Sequence, residues 1–403
     1  MTFSQTILLK ILSSALFGSG IDADSLAEST LQSELAEEAR NQAVVLLAFD
    51  SVKRLITDPD TLNRWNSLSM AVLTNNIRVI HNHELLHKWM SEAGIPYVVL
   101  KGCASASYYP KPSLRTMGDV DFLVPNEYLE MAGEVLKSHG LEPWEENHIA
   151  HIVYRKQGMH LEMHFNVAGI PSGEAGDLTR EYLWDVFDTG VVKKVGNTEA
   201  VMPSDFHHGL IILLHTCHHL TGEGVGLRHL CDWAVFENSL SDERFRELFE
   251  EKLRAIGLWR FAQVLTAISI KYLGAAPRTW AEDCDADLVD ALMEDILDGG
   301  NFGRKDSNRA NQSYIISSRG KNGVGRTGML HQAFTSMNEI VYVKWPFSRK
   351  CKLLLPFGWI YFGARHIFRV ITGKRRRINV SGMVRGAGER RKLYSKLRLY
   401  ERE

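Results

Sequence analysis

The apolar positions of this chain change period along its length, and the changes divide it. Up to about residue 90 they recur at helical spacing: Leu8, Leu9, Ile11, Leu12 and Leu16, then Val44, Leu47, Val52 and Leu55. Residues 22–25 offer a helix start, and residues 73–93 read as one further helix stopped by Gly94 ahead of Pro96. From 95 to 200 the period drops to two. Residues 97–100, 119–124, 152–155 and 160–165 read as strands, the last two joined through Gly158 as a hairpin. A helix over about 127–139, stopped by Gly140, separates the second strand from that hairpin. Residues 170–173 open a loop, and 184–188 with Val191 and Val192 close the region. Helical spacing returns at 203, where Ser204 or Asp205 offers a cap, and continues to about 300. Residues 299–328 are rich in Gly, Ser, Asn and Arg and read as a loop or linker.

The pattern predicts an α+β protein: a small mixed sheet flanked by helical regions. The expected boundaries are an N-terminal helical region 1–94, a sheet-bearing core 95–200, a helical domain 201–300, a linker 301–340 and a C-terminal segment 341–403.

Chemistry concentrates between Ile95 and Pro125. A short β-favouring run leads into Lys101-Gly102, then small residues from Cys103 to Ser107, a proline-punctuated loop with Arg115, and Gly118-Asp119-Val120-Asp121. Side chains alternate faces along a strand, so Asp119 and Asp121 point one way while Val120 and Phe122 point into a core. Two carboxylates this close repel unless a positive charge sits between them. A divalent metal supplies it, and Mg²⁺ takes one or two carboxylates plus substrate phosphates. Glu162 follows Asp121 by forty-one residues, enough for a helix and a return strand, and shares its strand face with His160 and His164. Three carboxylates, a glycine turn and the bases Lys101 and Arg115 suit metal-assisted phosphoryl transfer.

This ordered set resembles the bacterial family of uncharacterised nucleotidyltransferases with the polymerase-β-type fold, over about residues 5–300. The superfamily pattern has Gly followed by Gly or Ser, then about ten residues, then Asp-apolar-Asp. Here Gly102 precedes Cys103 and the gap is longer, which leaves Ser105 or Ser107 to replace the phosphate-gripping serine. The resemblance implies transfer of a nucleoside monophosphate from an NTP to an unidentified acceptor, with Mg²⁺ or Mn²⁺ as cofactor. Asp119, Asp121 and Glu162 would be the catalytic metal ligands, with Glu162 alternatively helping to deprotonate the acceptor. Lys101, Gly102, Ser105 and Arg115 would meet the triphosphate.

Two rival readings rest on other residues. His207, His208, His215, His218 and His219 share one apolar helix, and His215 and His219 could hold a metal with Asp232 in a phosphohydrolase. The plainer expectation is that they line the back of the nucleotide cleft or sit in the core. A degenerate, non-catalytic nucleotide-binding protein is the other rival. Arg228 could reach a substrate phosphate or make a surface salt bridge. His81, His83 and His87 read as a solvated helix face.

Charge changes the picture only when divided. Residues 344–403 hold 17 basic and 3 acidic residues, leaving 30 basic and 45 acidic residues elsewhere. Aromatics among cations at 351–377 have the composition of a helix lying on an anionic membrane, so peripheral membrane contact is one expectation; packing on the acidic body is the other. Nucleic acid is not an expected partner, because the basic cluster carries no recognisable module. Five scattered cysteines without a C-x-x-C pair argue for a reducing, cytoplasmic setting.

Overall fold

The helical spacing of the first ninety residues is realised in four helices: α1 (Phe3–Phe17), α2 (Ser29–Asn41), α3 (Val45–Val52) and α4 (Pro59–Glu92). These coordinates are a computed structural model, and they describe residues 1–22, 24–26, 28–145, 150–306, 309, 312, 337–338, 341–342, 344–349, 351–371 and 380–402. In α1 the Thr2 hydroxyl accepts the Gln5 N–H while the Gln5 side chain accepts the Thr2 N–H, and Gly18 ends the helix in the left-handed conformation. Helix α4 starts well before residue 73, because the Asp58 carboxylate caps the Thr61 N–H and Pro59 fits the first turn. Its inner face runs Asn76, Val79, His83, Leu86 and Met90, a helical repeat of buried positions. His83 is therefore fully buried, not solvated; His81 is exposed, and His87 bonds the Tyr97 hydroxyl.

Five strands follow in the spatial order β1-β2-β5-β4-β3: β1 (Val98–Val99), β2 (Val120–Leu123), β3 (Glu142–Glu145), β4 (His151–Lys156) and β5 (Met159–His164). The α5 turn (Cys103–Ala106) lies between β1 and β2, and α6 (Leu129–Ser138) lies between β2 and β3. β2 and β5 are parallel, and every other pairing is antiparallel. The path from β2 to β5 is longer than a simple crossover, since a hairpin, β3–β4, is added to the far edge. Pro143 hid β3 from a pattern reading, and an edge is where a strand tolerates proline. The apolar faces of β2 and β5, with Val120, Phe122, Leu161 and Met163, pack with Val79, Leu86 and Met90 of α4 and Ala132 and Leu136 of α6. Each of the larger side chains among these contributes about 1.5–3 kcal/mol of burial.

Residues 170–173 lead into a helix, α7 (Glu174–Tyr182), and a separate hairpin follows, β6 (Val191–Val195) with β7 (Thr198–Met202). Then come α8 (Asp205–Thr221), capped by Ser204, α9 (Leu227–Asn238), α10 (Asp242–Ala255), α11 (Trp259–Ile268) and α12 (Ala286–Gly299). Leu8, Ile11 and Leu12 of α1 share one core with Leu213, Trp233, Phe236 and Leu292, so the two helical regions pack as one body.

The C-terminal segment splits in behaviour. α14 (Val380–Leu397) packs on the body: Leu393, Tyr394 and Leu397 join the main core, and Arg390 donates to the Leu220 carbonyl. α13 (Leu355–Ile371) leaves Phe357, Ile360 and Phe368 more than 60 % exposed. Among the described residues no helix is long and apolar enough to cross a membrane. Most of the expected 301–340 linker lies outside the described residues.

Candidate active site

One cleft of about 440 Å³ separates the polar face of the sheet from the N-terminal end of α9 and the C-terminal half of α8. The sheet wall carries the three carboxylates. Register places Asp121 directly beside Glu162 on the parallel pair β2–β5, and Asp119 sits just before β2 on the same side. Parallel pairing with equal spacing keeps both side chains on one face.

Their electrostatics are uneven. Asp121 is almost fully buried, with Lys101 Nζ 2.8 Å from Oδ1 and His164 Nε2 donating at 3.1 Å. Burial pushes its pKa up, but Lys101 and His164 outweigh that and hold it well below the usual carboxylate range. Asp119 has the opposite fate: the Asp121 charge, burial and Glu162 push it up to about 7. Burial and the Asp121 charge raise the Glu162 pKa, but His164, His151 and Lys101 together bring it below the usual value and hold it anionic. His151 and His160 each stand 3.9 Å from it and His164 stands 3.6 Å away. For His164, burial lowers the pKa, but its bonds to Asp121 and Glu162 win and raise it.

The turn after β1 shapes the floor. Gly102 has φ +58°, a region costly for other residues, and a side chain there would meet His83 Nε2 at 3.0 Å and lie 3.9 Å from the Asp119 carbonyl. Desolvation brings His83 down to about 4, so it is neutral behind the site. Ser105 is buried in the cleft floor, and its hydroxyl has no partner. The Ser107 hydroxyl is already spent on the Ala104 carbonyl.

Arg115 lies in the cleft lining, but its guanidinium is engaged. It donates to both oxygens of Asp232 at 2.7 and 2.6 Å, and the Tyr109 hydroxyl donates to the same carboxylate at 2.7 Å. Asp232 is thus not a ligand partner of His215 and His219, as the phosphohydrolase reading required.

The helix wall holds what the pattern reading left aside. His215, His219 and His229 form an imidazole cluster with ring centroids 4.3–5.7 Å apart. Phe302 closes it, 4.7 Å from His219 and 5.4 Å from His229. Burial lowers all three histidines far enough to keep them neutral. Arg228 stacks over Phe302 at 5.3 Å. No carboxylate among the described residues pairs with it. Sequence placed His215, His219 and Arg228 as options, but His229 and Phe302 carried no local signal, since α9 and the 301–303 turn meet only in the fold. His164 was legible on the strand face of Glu162, whereas His151 joins them only through the pairing of β4 with β5.

The residues present suit a divalent cation. Ligand atoms of Asp119, His160 and Glu162 lie within 4.8 Å of one another, as do those of His151, Glu162 and His164. Carboxylates suit Mg²⁺ and Mn²⁺, and the added imidazoles also suit transition metals such as Zn²⁺.

Nothing matches the chain among curated proteins or among solved structures. A family model does match, and it covers residues 28–274, a narrower span than the resemblance of 5–300. That span includes both walls of the cleft except Phe302. The chain belongs to the uncharacterised nucleotidyltransferase family.

Proposed function

We propose that this protein transfers a nucleoside monophosphate from an NTP to an acceptor hydroxyl in the cleft between β2–β5 and α8–α9. The single observation that carries the reading is the trio Asp119, Asp121 and Glu162 on one face of two parallel strands, beside the Lys101-Gly102 turn. Asp119, Asp121 and Glu162 would hold Mg²⁺ or Mn²⁺. When bound, the ion supplies charge neutralisation on the phosphates and orients them. Asp121 is fixed in place by Lys101 and His164, which leaves two further ammonium protons of Lys101 for phosphate oxygens. Gly102 lets the backbone approach the triphosphate, and the unpartnered Ser105 hydroxyl takes the place of the phosphate-gripping serine. Where Glu162 does not hold the ion, its carboxylate, held anionic, accepts the proton of the acceptor hydroxyl. The acceptor oxygen forms a bond to the α-phosphorus, the α–β bridging P–O bond breaks, and pyrophosphate leaves with that electron pair. Incubation with α-labelled NTPs and cell extract tests this: label should move to an acceptor and should not move with Asp121→Asn.

A second reading concerns α13, where a specific observation favours it. Leu353, Phe357, Ile360 and Phe368 are exposed on a segment that also carries Lys352 and Arg365. We propose that this face rests on an anionic membrane, where each nearby cation adds about 1 kcal/mol. Residues 372–377 of the expected 351–377 segment lie outside the described residues. Cosedimentation with phosphatidylserine vesicles should fall as salt rises; protein wholly in the supernatant at low salt would contradict it.

A further inference from the structure

The cleft is electrically two-sided, and only one side is explained by the carboxylates. Of its cations, Lys101 is bonded to Asp121 and Arg115 is bonded to Asp232. Arg228 is left over. Its described polar contact is a long one, Nη1 donating to the Thr116 carbonyl at 3.5 Å. Its Nε is buried without a partner. Beside it, His229 is 4 % exposed; its Nδ1 accepts the Gly226 N–H, which leaves Nε2 as the N–H, also buried without a partner. A buried donor left unmade is costly, so two at one wall of an open cleft call for an acceptor.

Other features of this wall are engaged in holding it. The Leu227 N–H donates to Gln42 Oε1 and the Arg228 N–H to the Gln42 carbonyl, so the helix start itself is occupied. Gly226 has no side chain because the Asn301 backbone passes where one would stand, 2.6 Å away, and this sets Phe302 against the imidazoles. Phe302 holds φ +55°, a conformation non-glycine residues seldom adopt. With the three imidazoles neutral, Arg228 is a cation of this wall that no described carboxylate pairs with directly.

We infer that Arg228 and His229 form an oxyanion subsite that takes the pyrophosphate moiety of the nucleotide, across the cleft from the metal-holding carboxylates. The inference rests on the nucleotidyl-transfer reading for its ligand class, but its test does not need turnover. Arg228 is the charge that a departing pyrophosphate meets, in the place the sequence assigned to Arg115. A guanidinium also matches phosphate geometry with paired donors, which an ammonium does not.

The experiment is isothermal titration of inorganic pyrophosphate into the full chain in EDTA, so that no metal bridges ligand and carboxylates. Wild type should bind. Arg228→Gln should weaken binding on the order of 10–100-fold, the range of a charged hydrogen bond. Arg228→Lys keeps the charge but loses the paired donors, so its affinity should fall between wild type and Arg228→Gln, which separates lost charge from lost fold. His229→Leu should weaken it several-fold. Asp119→Asn should bind as well as wild type or better, because it removes a like charge. No binding by wild type, or equal binding by Arg228→Gln, would overturn the subsite. Arg228-dependent pyrophosphate binding in a protein that transfers no nucleotide would keep the subsite and sink the transfer reading. Transfer activity with pyrophosphate affinity indifferent to Arg228 would do the reverse.

Discussion

The two walls of the cleft are built by different logics. The sheet wall concentrates negative charge on two adjacent strands, and its geometry follows from register alone: Asp121 lies beside Glu162 because β2 and β5 run parallel. The helix wall concentrates donors and neutral rings, and its geometry depends on contacts among α8, α9 and the 301–303 turn. On the proposed reading, one wall would hold cations and the other anions. A polyphosphate with its metal carries both, which is why a cleft with unlike walls suits it better than either wall would alone.

The sharpest way to break this contrast is to remove the strut that crosses it. The Arg115–Asp232 pair links the loop before β2 to α9, and both side chains are under a tenth exposed. Arg115→Ala would strand a buried carboxylate and should destabilise the fold by about 3–5 kcal/mol, read as a lowered denaturation midpoint. If stability is unchanged while nucleotide affinity falls, Arg115 is a ligand contact and not a strut.

The next effect is catalytic. Asp121→Asn and Glu162→Gln should each lower the rate on the order of 100-fold or more, as loss of a metal ligand removes several kcal/mol of transition-state stabilisation. Circular dichroism should show the fold intact. A near-native rate for either variant would remove that residue from the catalytic set.

The sheet wall was largely legible in the sequence. Alternation of Asp119, Val120, Asp121 and Phe122, and of His160, Leu161, Glu162 and Met163, is a local signal that names the face and the groups on it. The helix wall was not, because nothing local says that Phe302 meets His219 or that Asp232 takes Arg115. Long-range pairing likewise decided His83. Its heptad with Val79 and Met90 is visible in the sequence, but polar residues on that face, Asn76 and His83 itself, disguised it as solvated. β3 was hidden by Pro143, and α7 by its short polar run after a glycine turn.

Smaller effects sharpen the floor between the walls. Gly102→Ala forces a left-handed backbone and crowds His83, and should cost about 1–2 kcal/mol of stability with a larger loss in NTP affinity. Ser105→Ala should be the mildest. Its hydroxyl has no partner to lose, so the melting temperature should hold while NTP affinity falls several-fold. A lowered melting temperature with unchanged affinity would assign Ser105 to the core.

On the proposed function, the unlike walls act together to move a nucleotide. The direct measurement is incubation of the purified chain with each α-labelled NTP, Mg²⁺ or Mn²⁺ and cell extract, beside the Asp121→Asn variant at equal concentration. Label should join an acceptor with pyrophosphate released in equal amount, and both should be absent with the variant. Label that never leaves the NTP pool, or that transfers equally well with Asp121→Asn, would contradict it.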